Sequence, residues 1–171
     1  MYKRQVLHGI DVTVFARSEP LTQNSTLLTE IGAHYISTRQ TSMADAAGVG
    51  GYDIVFEASG SSPQMFEGAG VLAKNGVLIL SSITGGSTRT EVGSDRLNLD
   101  FVLGNKVMFG TVNAHRGYFE QGVSDFATTM ASFPGWLPKL LTHPIDGLDN
   151  YAAMFQTLVE VKEAIKVHVI V

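Results

Sequence analysis

Apolar residues along the chain fall into runs of strand length that alternate with stretches spaced for one helical face. Residues 11–16 (DVTVFA) are rich in β-branched and aromatic types and predict a strand. Arg17-Ser18-Glu19-Pro20 turns away from it, because Pro20 keeps Glu19 out of the α region. Leu27, Leu28 and Ile31 share one face of a helix that Asn24 or Ser25 is placed to cap and Gly32 to end. Residues 34–37 predict a short strand. Residues 48–51 predict a turn, and 52–58, apolar at successive positions, a strand covered on both faces. Ser62 as cap and Pro63 as first helical residue open a helix through Met65, Phe66, Ala69 and Leu72, which Asn75-Gly76 ends. A strand over 77–81 and a loop over 84–87 follow. Leu97, Phe101 and Val102 fit a helix, 106–112 a strand and 115–131 a longer helix. Phe133-Pro134-Gly135-Trp136-Leu137-Pro138 breaks the pattern. A helix through Tyr151, Met154, Phe155 and Leu158 comes next, with Met154 and Phe155 as core, and residues 165–171 alternate as a final strand.

Repeated strand–helix–strand units imply an α/β fold with a parallel sheet, and right-handed crossovers make it doubly wound and Rossmann-like. Ligands of such sheets sit beyond the carboxyl ends of the strands. The positions to inspect are Arg17-Ser18, Ala58-Ser59-Gly60, Ser81-Ser82-Ile83 and Val112-Asn113-Ala114, all but Ile83 and Val112 small, polar or cationic.

Residues 6–10 (VLHGI) read as the last turn of a helix with Gly9 at its C-cap, so the chain begins on a helix end. Met-Tyr-Lys-Arg-Gln is also the translation of GTG-TAT-AAG-AGA-CAG, the end of a transposon used to fragment DNA for sequencing. Residues 1–5 are therefore expected to be a library scar or a natural tail, 6–132 an incomplete dinucleotide-binding domain, and 133–171 a returning C-terminal segment. The first strand and its Gly-rich loop are expected to lie upstream of Val6. Two strings within the chain do not replace them. Gly68-Ala69-Gly70-Val71-Leu72-Ala73 fits G-x-G-x-x-A but lies in a helix that precedes a strand, the reverse of the required order, and reads as helix-on-sheet packing. The glycines at 48–51 lead into a strand rather than a helix.

Composition narrows the chemistry. The 171 residues carry 16 acids and 12 bases, a net charge of −4, which argues against a nucleic-acid groove. An apolar fraction of 44% can bury a core. No apolar run approaches the ~18 residues that span a bilayer. With no cysteine there is neither a disulfide framework nor a thiol nucleophile, and a reducing, cytoplasmic location is expected. His8, His34, His115, His143 and His168 show no metal-ligand spacing, and His115 reads as a helix-start residue. No metal ligand and no catalytic residue is assigned in the chain.

The end of the 11–16 strand is more informative. NAD-specific folds place an acid there for the ribose hydroxyls, whereas this chain has Arg17 and Ser18, suited to the 2′-phosphate of NADP. Glu19 leaves NAD use open. Ser81-Ser82-Ile83 and Thr111-Val112-Asn113 offer small polar groups for a carboxamide.

Several segments carry a resemblance: Arg17-Ser18-Glu19-Pro20, residues 35–41 (YISTRQT), residues 56–60 (FEASG), Asn105-Lys106, and residues 110–115 (GTVNAH), with 133–137 (FPGWL) beside them. In order and spacing the chain resembles the C-terminal half of a zinc-type medium-chain dehydrogenase, in particular the glucose (aldose) 1-dehydrogenases. The resemblance implies NAD(P)-dependent oxidation of an aldose at C1 to the lactone, by hydride transfer to nicotinamide. By position, Arg17 and Ser18 would hold the 2′-phosphate. Ser81, Ser82, Ile83, Thr111, Val112 and Asn113 would line the nicotinamide, Ser59 would be a further cofactor-binding residue, and Lys162 would add a contact near the C-terminus. It also implies a zinc in the complete enzyme, whose ligands are absent from this chain, a small sugar as substrate, and a homo-oligomer. The fragment alone is expected to be inactive. Two other readings stay open: an S-adenosylmethionine-dependent Rossmann methyltransferase, against which Arg17 speaks, and a non-catalytic assembly module that pairs through the terminal strand.

Overall fold

The computed structural model describes residues 2–20 and 22–171. Met1, part of the expected scar, lies outside them. The chain divides into two compact units, Met1–Arg39 with His115–Val171, and Gln40–Ala114. No helix among the described residues is long and apolar enough to cross a membrane.

In the first unit, α1 (Tyr2–Leu7) ends as the sequence suggests. Gly9 has φ +73°, its N–H reaches Val6 O at 2.9 Å and the Ile10 N–H reaches Gln5 O at 3.0 Å. This paired arrangement satisfies carbonyls at a helix end and needs the left-handed residue that glycine supplies. Strand β1 (Thr13–Ala16) leads through α2 (Gln23–Glu30) to β2 (His34–Ser37). The two strands are parallel, with Ala16 opposite Ser37. Val12, Val14 and Ala33 form a core under Val6, Leu28 and Tyr35.

The cap of α2 is Thr22, not Asn24 or Ser25. Thr22 Oγ1 accepts from the Ser25 N–H at 3.3 Å, and the buried Ser25 hydroxyl donates back to Thr22 O at 2.9 Å. The helix thus starts one turn earlier than its apolar face, on a polar first turn that periodicity does not register. Thr22→Ala is expected to cost about 1 kcal/mol. The check is a lower denaturation midpoint at unchanged slope.

The remainder of this unit is α6 (Arg116–Ser132), a 3₁₀ turn at Leu137–Leu140, β6 (His143–Asp146), α7 (Tyr151–Glu160) and β7 (Val167–Ile170). β6 and β7 run parallel in a sheet of their own, with α7 as crossover. The sequence reading had no strand at 143–146. Pro144 hides it, and only the parallel partner beyond α7 defines it. Phe155 is 58% exposed, so it is not core. Trp136 is buried with Leu27 and Ile31, under Phe133, Leu137, Leu140 and Ile165.

The second unit contains α3 (Met43–Ala47), β3 (Tyr52–Glu57), α4 (Ser62–Gly70), β4 (Leu72–Leu80), α5 (Ser94–Gly104) and β5 (Val107–Gly110). Its sheet is parallel in the order β3–β4–β5. Helix α3, absent from the sequence reading, is a short turn capped by Ser42 Oγ, which accepts from the Asp45 N–H at 3.0 Å. Helix α4 is shorter than expected. It stops at Gly70, and Leu72 already pairs with Tyr52 as the start of β4. The Asn75-Gly76 pair therefore sits within a strand irregularity rather than at a helix end, with Asn75 at φ +61°. The cap of α4 is Ser61, one residue before the expected Ser62, and its side chain makes no capping bond.

Of the glycine string, Gly68 and Ala69 pack on the sheet as expected, whereas Gly70 is exposed with open space around it. Ala69 is 1% exposed, and a Cβ on Gly68 would lie 3.1 Å from Val55 Cγ1. Strand β3 differs from expectation. Val55 packs under α4 with Ala69, Leu72 and Leu78, but Ile54 is 52% exposed. Phe56, on the same face as Ile54, is half-buried, and an apolar run cannot reveal how fully each of its faces is covered.

All three sheets are parallel, which places the chain in the expected α/β class. Among the described residues, β1 pairs only with β2, and β3 only with β4.

Candidate functional site

The register of the second unit aligns three strand ends. Glu57 pairs with Leu80, and Leu80 with Gly110. Residues 58–60, 81–83 and 111–113 therefore emerge side by side from the carboxyl edge of one sheet. Backbone bonds extend the alignment by one residue: Ser81 N–H to Glu57 O at 3.0 Å and Thr111 N–H to Leu80 O at 2.9 Å. This brings together Ser59, Ser81, Ser82, Ile83, Thr111, Val112 and Asn113. Ile83 and Val112 stand out into solvent at 86% and 81% exposure.

Glu57 organises this edge, and the sequence reading assigned it no role. Its carboxylate, on a residue 8% exposed, takes three bonds on one oxygen. Oε1 accepts from Ser59 N–H at 2.6 Å, Ser59 Oγ–H at 2.5 Å and Gly60 N–H at 3.1 Å. Its own carbonyl accepts from Ser81 Oγ–H at 2.9 Å. The Ser59 hydroxyl in turn accepts from the Ser61 N–H at 3.2 Å. Gly60 has φ +69°, and a Cβ there would approach Ile83 O to 3.1 Å. The loop after β3 is thus folded against the loop after β4, and Ser59 and Ser81 act first as struts within it. A carboxylate three residues before a left-handed glycine, at a strand end, is the sequence signal that could have marked it.

The first unit has its own strand end. Arg17 and Ser18 follow β1 and are exposed. Tyr35, on β2, fixes the turn by donating its hydroxyl to Ser18 O at 2.9 Å. The Thr38 N–H bonds to Ala16 O at 2.9 Å, carrying the ladder one residue past β2. Among the described residues, Arg17 and Arg39 have no acidic partner, whereas Arg96 and Arg116 pair with Asp100 and Glu120 on their own helices. Lys162 is exposed in the turn between α7 and β7.

His115 is the N-cap of α6, as expected. Its Nδ1 accepts from the Gly117 N–H at 3.1 Å, which leaves the proton on Nε2, and its ring meets Tyr118 edge-on. No group of three or more metal-ligating side chains occurs among the described residues. An open cavity of about 690 Å³ lies among Leu27, Ile31, Phe126, Trp136, Leu137 and Leu140, and it contains none of the strand-end residues.

The family of glucose dehydrogenase C-terminal domains matches residues 3–170. Glucose 1-dehydrogenase of Methanocella arvoryzae is 27% identical over 160 residues, which are 90% of this chain and 45% of that protein. Glucose 1-dehydrogenase 1 of Caldivirga maquilingensis is 34% identical over 146 residues, 85% of this chain and 40% of that one. The chain thus spans less than half the length of these relatives. The crystal structure of Haloferax mediterranei glucose dehydrogenase in complex with NADP, Zn and gluconolactone superposes with a TM-score of 0.79 at 25% identity, covering 93% of this chain and 43% of that one. Aligned parallel strand ends, an arginine in the turn after β1 and a match over almost every residue agree: this chain belongs to the glucose dehydrogenase C-terminal family.

Proposed function

We propose that the chain is the cofactor-binding part of an NAD(P)-dependent dehydrogenase that oxidises glucose or a related aldose at C1 to the lactone. The family supports the dehydrogenase reading over the methyltransferase and assembly readings. The observation that carries the assignment within the molecule is the strand-end register, which gathers polar groups and two exposed apolar side chains on one edge. A nicotinamide ring has an apolar face and a hydrogen-bonding carboxamide, and Ser82, Thr111 and Asn113 beside Ile83 and Val112 match both. Ser59 and Ser81 hold that edge in shape. Arg17 and Ser18 take the 2′-phosphate in the first unit, because a guanidinium offers paired donors to phosphate oxygens. Lys162 is a further cationic contact. When bound, the nicotinamide accepts the hydride that leaves the sugar carbon. Residues 6–132 supply an incomplete dinucleotide-binding domain and 133–171 a segment that returns toward the catalytic domain of the complete enzyme. The described residues offer no donor set for zinc, so no step is assigned to a metal here; in the complete enzyme its ligands lie outside this chain. A cytoplasmic location and a homo-oligomeric complete enzyme belong to the same reading.

Fluorescence titration of the chain with NADPH and NADH tests it. Tighter binding of NADPH is expected, and Arg17→Ala should reduce that preference about tenfold, the worth of one charge-assisted contact. Equal binding of the two by the unaltered chain would overturn the 2′-phosphate assignment.

A further inference from the structure

We propose that Arg39 is the second cation for the 2′-phosphate and sets the preference for NADP together with Arg17. This inference rests on the 2′-phosphate reading of Arg17 and Ser18. Strands β1 and β2 are parallel neighbours with Ala16 opposite Ser37. Arg17 and Ser18 leave the end of β1 as Thr38 and Arg39 leave the end of β2, so Ser18 and Arg39 stand equally far beyond their strands. The bond from Thr38 N–H to Ala16 O at 2.9 Å keeps the two exits together. Each exit is held in place. Tyr35 Oη–H donates to Ser18 O, and the Arg39 N–H donates at 3.4 Å to Ser37 Oγ, whose residue is 1% exposed. The Arg39 side chain is exposed, with no hydrogen bond or ion pair among the described residues.

Charge makes a second cation necessary. A phosphate monoester carries close to two negative charges at neutral pH. One guanidinium offsets half of that. The chain as a whole is acidic, at net −4 with both arginines counted, and the same turn carries the carboxylate of Glu19. Two arginines on adjacent parallel strand ends supply the missing charge, and their planar forks can share the three phosphate oxygens.

The test titrates the 171-residue chain calorimetrically with adenosine 2′,5′-bisphosphate and with adenosine 5′-monophosphate. The unaltered chain should prefer the bisphosphate. Arg39→Ala should lower that preference about tenfold, and Arg39→Lys should recover only part of it, because an ammonium lacks the fork. Monophosphate affinity and thermal midpoint should not change in either variant, since the side chain is exposed. Full preference in Arg39→Ala, with loss in Arg17→Ala, overturns the role of Arg39 and leaves that of Arg17. No preference in the unaltered chain overturns the 2′-phosphate reading itself, and Arg39 falls with it.

Discussion

Trp136→Ala is expected to cost about 3–5 kcal/mol, the largest stability loss of any single substitution in the first unit. Trp136 is 8% exposed and packs on Leu27 and Ile31 of α2, with Phe133, Leu137, Leu140 and Ile165 around it. Its indole Nε1–H donates to Leu27 O at 2.8 Å, a bond that spans 109 positions of sequence. The ring therefore ties the segment after α6 to a helix near the start of the chain. Alanine would remove both the apolar contact and the bond, beside a cavity already open to one side. Beyond it, Lys139 Nζ meets Glu30 Oε2 at 2.8 Å, but both side chains are substantially exposed. A pair of that kind contributes at most about 1 kcal/mol and cannot replace the ring. Trp136→Phe keeps most of the apolar area and loses the donor, so about 1–2 kcal/mol is expected. Urea denaturation of the three chains checks the ordering. A loss under 1 kcal/mol for alanine would mean that the segment is not anchored through this side chain.

The strands were legible in the sequence where burial follows chemistry in a simple way. Thr13–Ala16, His34–Ser37 and Val107–Gly110 each fall inside the stretch that their β-branched and aromatic residues mark. The parallel arrangement followed from alternation with helices, and from it the strand ends that hold every proposed cofactor residue except Lys162. Elements defined by distant partners were not legible. Strand β6 has Pro144 at its second position, and it is a strand only because Val167–Ile170 lies alongside. The start of β4 was mistaken for helix because Ala69 and Leu72 both face the same cluster, one from α4 and the other from the strand. Short polar caps, such as Thr22 and Ser42, lie outside any apolar period and so set boundaries that periodicity misses. Phe155 and Ile54 show the opposite failure: an apolar side chain announces a wish for cover, while the sequence does not say whether the described chain provides it. The site follows the same division. Types and positions after each strand could be read in advance, and an acid three residues before a glycine at a strand end marks Glu57, but that signal does not say which donors fold back onto it.

Glu57→Ala is expected to remove about 2–3 kcal/mol of stability, and to weaken NADPH binding by a further, separable amount. The carboxylate oxygen serves two backbone N–H groups and one hydroxyl. Deleting it leaves those donors without their acceptor, and the bonds lost are charge-assisted, the stronger kind. The loss falls short of a fully buried ion because Ser59 is exposed and water can take over part of the work. Glu57→Gln separates charge from shape: the carboxamide oxygen can accept the same three bonds without the charge, so about 1 kcal/mol is expected. The consequence for binding follows from what the three donors hold in place. They set residues 58–60 in a turn with Gly60 against Ile83 O, and Ile83 belongs to the edge proposed for the nicotinamide. If that turn relaxes, the edge loses its shape before any group that touches the cofactor is altered. Alanine should then weaken NADPH binding more than binding of adenosine 2′,5′-bisphosphate, which lacks the nicotinamide, and glutamine should restore most of the difference. Equal weakening of both ligands would mean that Glu57 acts on the fold as a whole rather than on the nicotinamide edge.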